Sequence, residues 1–277
     1  MPTPAIPRLS LLLFSVMLST RTPQRIVSLA PSATSILCSI GAKKSLVGVS
    51  KWCPTVAPVS HLPKFGDCWH INNVAAIQAL KPDLVIGSVP FRAEALTKLL
   101  SHPLNFLALN PKSIADIDRD ILQLGALTNR TATAHKLVHS MHRKFESIAR
   151  RARNQPRLRV YSEAWPNPRI SSPPWVAELI TIAGGSISVT PGARVSETEV
   201  AAADPEVILL AWAATGSKSK TNKIYSLRMW QNVSALRSRR VFVVQDDLLN
   251  TPGPPLVQGV AEIARILTLC RNGASAP

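Results

Sequence analysis

The stretch from Thr131 to Arg153, TATAHKLVHSMHRKFESIARRAR, constrains this chain more than any other. Its apolar residues Ala134, Leu137, Val138, Met141, Phe145, Ile148, Ala149 and Ala152 recur largely at steps of three and four. That period puts them on one stripe of an α-helix, with charge on the remaining surface. No Gly or Pro interrupts the stretch, and Pro156 marks a stop just beyond it. The flanks match each other. NNVAAIQALKPDLVIGS (Asn72 to Ser88) precedes it and SETEVAAADPEVILLAW (Ser196 to Trp212) follows it. Each reads as a helix, then Pro and an acid, then a short β-rich apolar run. One long helix between two similar α/β halves has the shape of a two-lobed clamp.

The rest of the chain supports that division. RIVSLAP is a strand ending in a turn, and Ser32 reads as the cap of a helix, SATSILCSIGA, closed by Gly41. SLVGVS is a second strand, followed by a long loop from Lys51 to Ile71. Asn73 caps VAAIQAL, and LVIGSV makes the next strand. A helix over Phe91 to Ser101, a strand LNFLAL and a helix over Ser113 to Leu124 lead into the long helix. Beyond it come a strand RLRVYSEAW, a helix over Trp175 to Ala183 ended by Gly184-Gly185, and a helix over Thr198 to Ala203. EVILLAW and VFVVQ are strands, Gly216 to Lys223 a polar mobile loop, and Leu256 to Cys270 a closing helix. Strands alternating with helices at this spacing define an α/β fold with mainly parallel sheets. The expected divisions are 1–24 as an N-terminal extension or signal, 25–127 and 156–277 as Rossmann-like lobes, and 128–155 as the connecting helix.

Charge is unusual: 32 Lys and Arg against 16 Asp and Glu give a formal net charge of +16. Two readings compete, a nucleic-acid or anionic-membrane partner and a solvated basic surface. Arg150, Arg151, Arg153, Arg157 and Arg159 cluster where the long helix ends, where cations also complement its dipole. Basic and aromatic residues do not interleave as in RNA-binding sheets, so no specific nucleic acid is expected. Near the N-terminus, Arg8 precedes the apolar run Leu9 to Leu18. It has the length of an export-signal core and is too short to span a bilayer. Met17 and Leu18 stand where a cleavage site wants small residues, and a retained extension in a cytoplasmic protein is the alternative. Of the cysteines, Cys38 reads as a buried thiol. Cys53 and Cys68 bracket a Pro-containing loop, so a bridge is a candidate in an exported protein and free thiols are the alternative. No C-x-x-C pair suggests zinc.

Enzyme motifs are absent: no G-x-G-x-x-G after a strand, no Walker loop, no G-x-S-x-G and no H-E-x-x-H. Ligand-binding residues are more visible. Trp52, Trp69 and the neighbouring His70 lie in the long first-half loop, and Trp165 and Trp175 in the corresponding second-half loop. Trp212 ends a strand. Aromatics after strand ends in both halves suit a large planar ligand. Ser88 and Glu163 add polar groups at strand ends, where α/β proteins build their sites. Glu163 is also read as a loop-bracing carboxylate. His135, His139 and His142 share one helix flank with Glu146. We read that row as a wetted surface and expect no metal site.

RIVSLAPSATSIL, GVSKWC, LPKFGD, NVAAIQALKPDLVIG, PPWVAELITIAGG, VAAADPEVILLAW and NTPGPPLVQGVAEIARIL occur in an order that resembles one family. It is the helical-backbone periplasmic solute-binding proteins, the vitamin B12 and iron-chelate receptors of ABC importers. The resemblance runs from about Arg25 to Leu269 and implies two α/β lobes joined by one rigid helix. It implies a monomer, periplasmic or otherwise extracytoplasmic, that binds a ligand between the lobes and presents it to importer membrane subunits. PRISSPPWVAELITIAGG is similar to the cobalamin-binding branch, making a corrinoid the expected ligand and haem or an iron chelate the alternative. Trp69 matches the family's pocket tryptophan, with Asn73 and Ile77 in register. The chain departs from the family where it expects docking carboxylates: Ala75 and Thr198 occupy those positions, with Glu197 and Glu199 flanking the second. Pro54-Thr55 replaces an Asp-Tyr pair after Cys53, and Ser35 stands where a Glu is common.

Overall fold

A computed structural model describes residues 22–213 and 221–276. The first sheet contains β1 (Ile26–Ser28), β2 (Leu46–Ser50), β3 (Lys64–Phe65), β4 (Leu84–Ser88) and β5 (Phe106–Leu109). All pairings are parallel, in the order β3-β2-β1-β4-β5. The order reverses between β1 and β4, which opens a crevice at their carboxyl ends. Helices α1 (Pro31–Ser39) and α4 (Ile114–Leu127) cover one face of this sheet with Ile26 and Ile86. Helices α2 (Val74–Ala79) and α3 (Ala93–Leu100) cover the other with Val27 and Val85. Such near-continuous apolar strands are what burial on both faces requires.

These two faces decide the cysteines. Cys53 packs on the α1 side, against Thr34 and Ser50 hydroxyls at 3.0 and 3.1 Å. Cys68 packs on the α2 side, against Gly87, where an added Cβ would lie 2.3 Å from its sulfur. The sheet stands between them, so both are free thiols and no bridge forms.

The second sheet is built on β6 (Leu158–Pro166), with β9 (Val207–Leu210) and then β10 (Val241–Val243) on one edge. Its other edge is shared. The first half of β6 pairs in parallel with β8 (Gly185–Ile187), and the last half folds back antiparallel onto β7 (Arg169–Ser171). Neither short strand is foreseen by the sequence reading, because three residues carry too little period. Helices α6 (Pro174–Ile182), α7 (Glu197–Ala203) and α11 (Leu256–Arg271) fall where the apolar spacing predicts them. Between α7 and α11 lie the short helices α8 (Asn222–Tyr225), α9 (Ser234–Arg237) and α10 (Asp247–Asn250). The expected polar loop from Gly216 falls mostly outside the described residues, as does the N-terminal run. No helix among the described residues is long and apolar enough to cross a membrane.

Helix α5 (Thr131–Ala152) joins the sheets and buries Ala134, Met141, Phe145 and Ile148. It packs on α4 from the first half and on α6 and α11 from the second. Both ends are seated on glycines. A Cβ on Gly125 of α4 would lie 2.4 Å from Ala134, and one on Gly184 would lie 2.8 Å from Ala152. Close backbone approach of this kind admits no larger side chain. One apolar core therefore runs from Ile26 through Phe145 to Leu267 without a break between the halves. His142 turns onto α4 and meets Asp118 at 2.6 Å, while His135 and His139 stay exposed. Among the described residues no three metal-binding side chains converge.

Candidate functional site

Contacts between the halves show which edges face each other. Thr55, just past the end of β2, lies beside Asp247, just past β10. Gly253 sits against Ser35 and Ile36 of α1, where a Cβ would meet the Ser35 hydroxyl at 3.3 Å. The carboxyl edges of the two parallel sheets are thus apposed, the arrangement that makes a ligand cleft in open α/β proteins. Burial, and after it the neighbouring Asp246, raises the Asp247 carboxyl above its ordinary range.

On the first-half side the loop after β3 is organised by Asp67. One carboxylate oxygen accepts the backbone N–H groups of Trp69 and His70 at 2.9 and 2.7 Å. The other accepts the Trp52 indole N–H at 2.8 Å. The backbone doubles back so closely that a Cβ on Gly66 would lie 1.9 Å from the His70 carbonyl oxygen. Only glycine fits there. Trp69 is held outward with 46% of its surface exposed, and the His70 ring stands beside it, edge-on at 6.4 Å. Trp52 is half-buried beneath Lys51, whose ammonium sits 4.7 Å from its ring. Ser88, at the reversal point between β1 and β4, is buried, and its hydroxyl has no hydrogen-bond partner among the described residues.

On the second-half side Trp165 projects from the end of β6, 42% exposed, with its indole N–H on the Asn167 carbonyl at 2.8 Å. Two expected partners are elsewhere. Trp175 is core: its N–H donates to the Leu249 carbonyl at 2.8 Å, and the ring fills the space between α6 and α10. Trp212 is also buried, donating to Glu163 at 2.8 Å. Neither presents a face to a ligand in this structure, because each ring is packed into the apolar core.

Glu163 is wholly buried and braces the loops. It accepts from the Tyr161 hydroxyl at 2.6 Å, from Trp212, and from the guanidinium of Arg169. Burial, with the adjacent Glu163 charge, pushes the Tyr161 phenol far above its usual range. Arg169 continues outward, lying 4.5 Å over the Trp230 ring and 3.6 Å from Glu197. Glu199 closes a capping box with Ser196 at the start of α7. Both acids beside Thr198 therefore already have internal partners, and with Arg169, Arg194 and Pro168 they line a hollow of about 460 Å³. Asp67 and Arg169 are missed by sequence reasoning. An Asp after a Gly and an Arg in a Pro-rich turn carry no periodic signal, and their importance comes from partners distant in space.

Two sheets apposed at their carboxyl edges, a fixed helix between them and an exposed indole on each side define a solute-binding protein. The chain belongs to the periplasmic binding protein family, whose model matches residues 26–248. It is a substrate-binding protein of the ABC-importer class and not an enzyme. The ABC transporter substrate-binding lipoprotein YvrC of Bacillus subtilis is 26% identical over 88% of this chain and 80% of its own. A vitamin B12-binding protein of Pectobacterium carotovorum is 25% identical over 91% of each chain. Among solved structures, the periplasmic vitamin B12 binding protein BtuF of Vibrio cholerae superposes with a TM-score of 0.72. It is 23% identical, over 90% of this chain and 98% of that one. The periplasmic heme-binding protein RhuT of Roseiflexus superposes at 0.76, with 20% identity over 90% and 99%.

Proposed function

We propose that this protein captures a cobalamin-like corrinoid in the cleft between its halves and presents it to an ABC importer outside the cytoplasm. The observation that carries the reading is the pair of exposed indoles, Trp69 and Trp165, one on each apposed sheet edge. Side chains that size are rarely left exposed, and two together supply flat walls of low conformational entropy for a broad macrocycle. Relatives named for vitamin B12 over nine-tenths of both chains support the corrinoid. In this reading Trp52 backs the Trp69 loop, Ser88 offers a polar contact at the cleft floor, and Glu163 fixes Trp165 indirectly through β6. Expected importer contacts fall on the faces carrying Ala75 and Thr198, where Glu197, 40% exposed at its side chain, and the exposed Glu199 are both partly available.

Haem or a ferric chelate is the second reading, favoured by one feature. The His70 ring is exposed and has no side-chain hydrogen bond among the described residues, which suits an iron ligand. Structural neighbours include heme-binding proteins. Titration of the full chain with cyanocobalamin and, separately, haemin decides between them. The corrinoid reading expects saturable tryptophan quenching by cyanocobalamin and colour retained after desalting. Quenching by haemin alone, with a shifted Soret band lost in H70A, would replace it with the second reading.

A further inference from the structure

The outward face of α5 carries a row of cations that solute capture does not use. Lys136, Arg143 and Arg150 recur every seven residues and are all exposed. Seven residues are about 10 Å of helix, and each heptad drifts only about 20°, so the three stand in one line about 21 Å long. Lys144 and Arg151 lie one step round the helix, Arg153 follows its end, and Glu146 is the only acid among them. None of these six cations makes a side-chain hydrogen bond or ion pair among the described residues. Some exposed arginines elsewhere are paired, Arg119 with Asp116, Arg159 with Asp204 and Glu206, and Arg265 with Glu262, while others such as Arg194 and Arg228 are not, so what sets the α5 cations apart is their alignment. The opposite face of α5 is seated on α4, α6 and α11, so the line cannot rotate inward.

We propose that this face of α5 docks the protein onto an anionic phospholipid bilayer. A straight row on a convex rod meets a plane with every cation at once, and each Lys or Arg near a charged leaflet adds to attraction. The row offers a nucleic acid less: it includes no Phe, Tyr or Trp to stack on bases and no Asn or Gln to read their edges. No apolar side chain projects from it, so the association is electrostatic and reversed by salt. Helix α5 packs on the helices α4, α6 and α11, and the proposed ligand groups Trp69 and Trp165 lie on other segments, so docking stands or falls independently of ligand identity.

Sedimentation of the full-length chain with vesicles of equal phosphatidylglycerol and phosphatidylcholine tests this. Pure phosphatidylcholine vesicles measure any contribution of the run Leu9 to Leu18. At low salt K136Q/R143Q/R150Q is expected to bind the mixed vesicles about a hundredfold more weakly. K64Q/K98Q/K112Q, which removes the same charge from the first half, is expected to change binding by less than about threefold. Unaltered melting checks the fold, and R143Q alone, expected to weaken binding about fivefold, replaces the triple variant if it does not fold. Equal losses in the two triple variants would overturn the proposal in favour of diffuse charge. No loss in the α5 variant would overturn it outright. Tighter, equally row-dependent binding to duplex DNA than to vesicles would transfer the face to a nucleic acid.

Discussion

Glu163 and Arg169 show how much of the site depends on single buried groups. A carboxylate with no exposed surface is tolerable only because Tyr161, Trp212 and the Arg169 guanidinium together satisfy it. Removing the cation leaves the charge uncompensated, a defect that costs about 3–5 kcal/mol in buried pairs. Arg169→Met should lower the denaturation free energy by that order in urea melts, and R169M/E163Q should recover part of it. A loss below about 1 kcal/mol would mean the pair is wetter than its burial indicates. Asp67 does comparable work with exposed partners, fixing Trp52, Trp69 and His70 through a single side chain. Glu163 was legible in the sequence, whereas Arg169 and Asp67 were not. Trp69 and Trp165 were, yet nothing local separates them from Trp175 and Trp212. Whether an indole at a strand end faces solvent depends on an acceptor such as the Leu249 carbonyl, far away in the chain.

Elements were far more legible than side-chain partners, because helices of about two turns or more announce themselves by period, whereas the one-turn α8, α9 and α10 did not. The bounds of α5 match the stretch Thr131 to Arg153 to within a residue, α7 begins one residue before the expected Thr198, and α11 begins at the expected Leu256. The short strands β7 and β8 exist only as neighbours of β6, so their own residues did not reveal them. Phe145→Asp should unfold the protein at ordinary temperature, since it places a charge in the core shared by both halves. His139→Ala, on the wet flank, should leave melting and ligand capture unchanged. Helix α4 carries a pH-dependent element. Burial raises the Asp120 carboxyl to about 6, against the nearby Arg119 charge that lowers it. A carboxyl raised in the fold favours folding below its unfolded value near 4, and that contribution is lost as pH rises through 6. Asp120→Asn should therefore match the parent near pH 4 and exceed it by about 2 kcal/mol at pH 8. Parallel pH dependence of the two melts would contradict this assignment.

At the scale of the whole molecule the long helix is a strut seated at both ends, and the core passes through it unbroken. Gly253 against Ser35 and Ile36 adds a contact across the cleft, and Thr55 lies beside Asp247. Opening by a wide hinge would disrupt all of these, so capture is expected to involve small movements of loops that are already in place. That rigidity also explains why the two-lobed plan could be read from repeated helix–Pro–acid–strand patterns, while the ligand could not. The frame is set by period and burial, and ligand choice by a few exposed side chains. The most direct test is equilibrium binding of cyanocobalamin to the parent, W69A and W165A. The account predicts one saturable site in the parent and affinity lowered about tenfold or more in each variant, with unchanged melting. Parent-like affinity in both variants, or no binding by the parent at all, would contradict it.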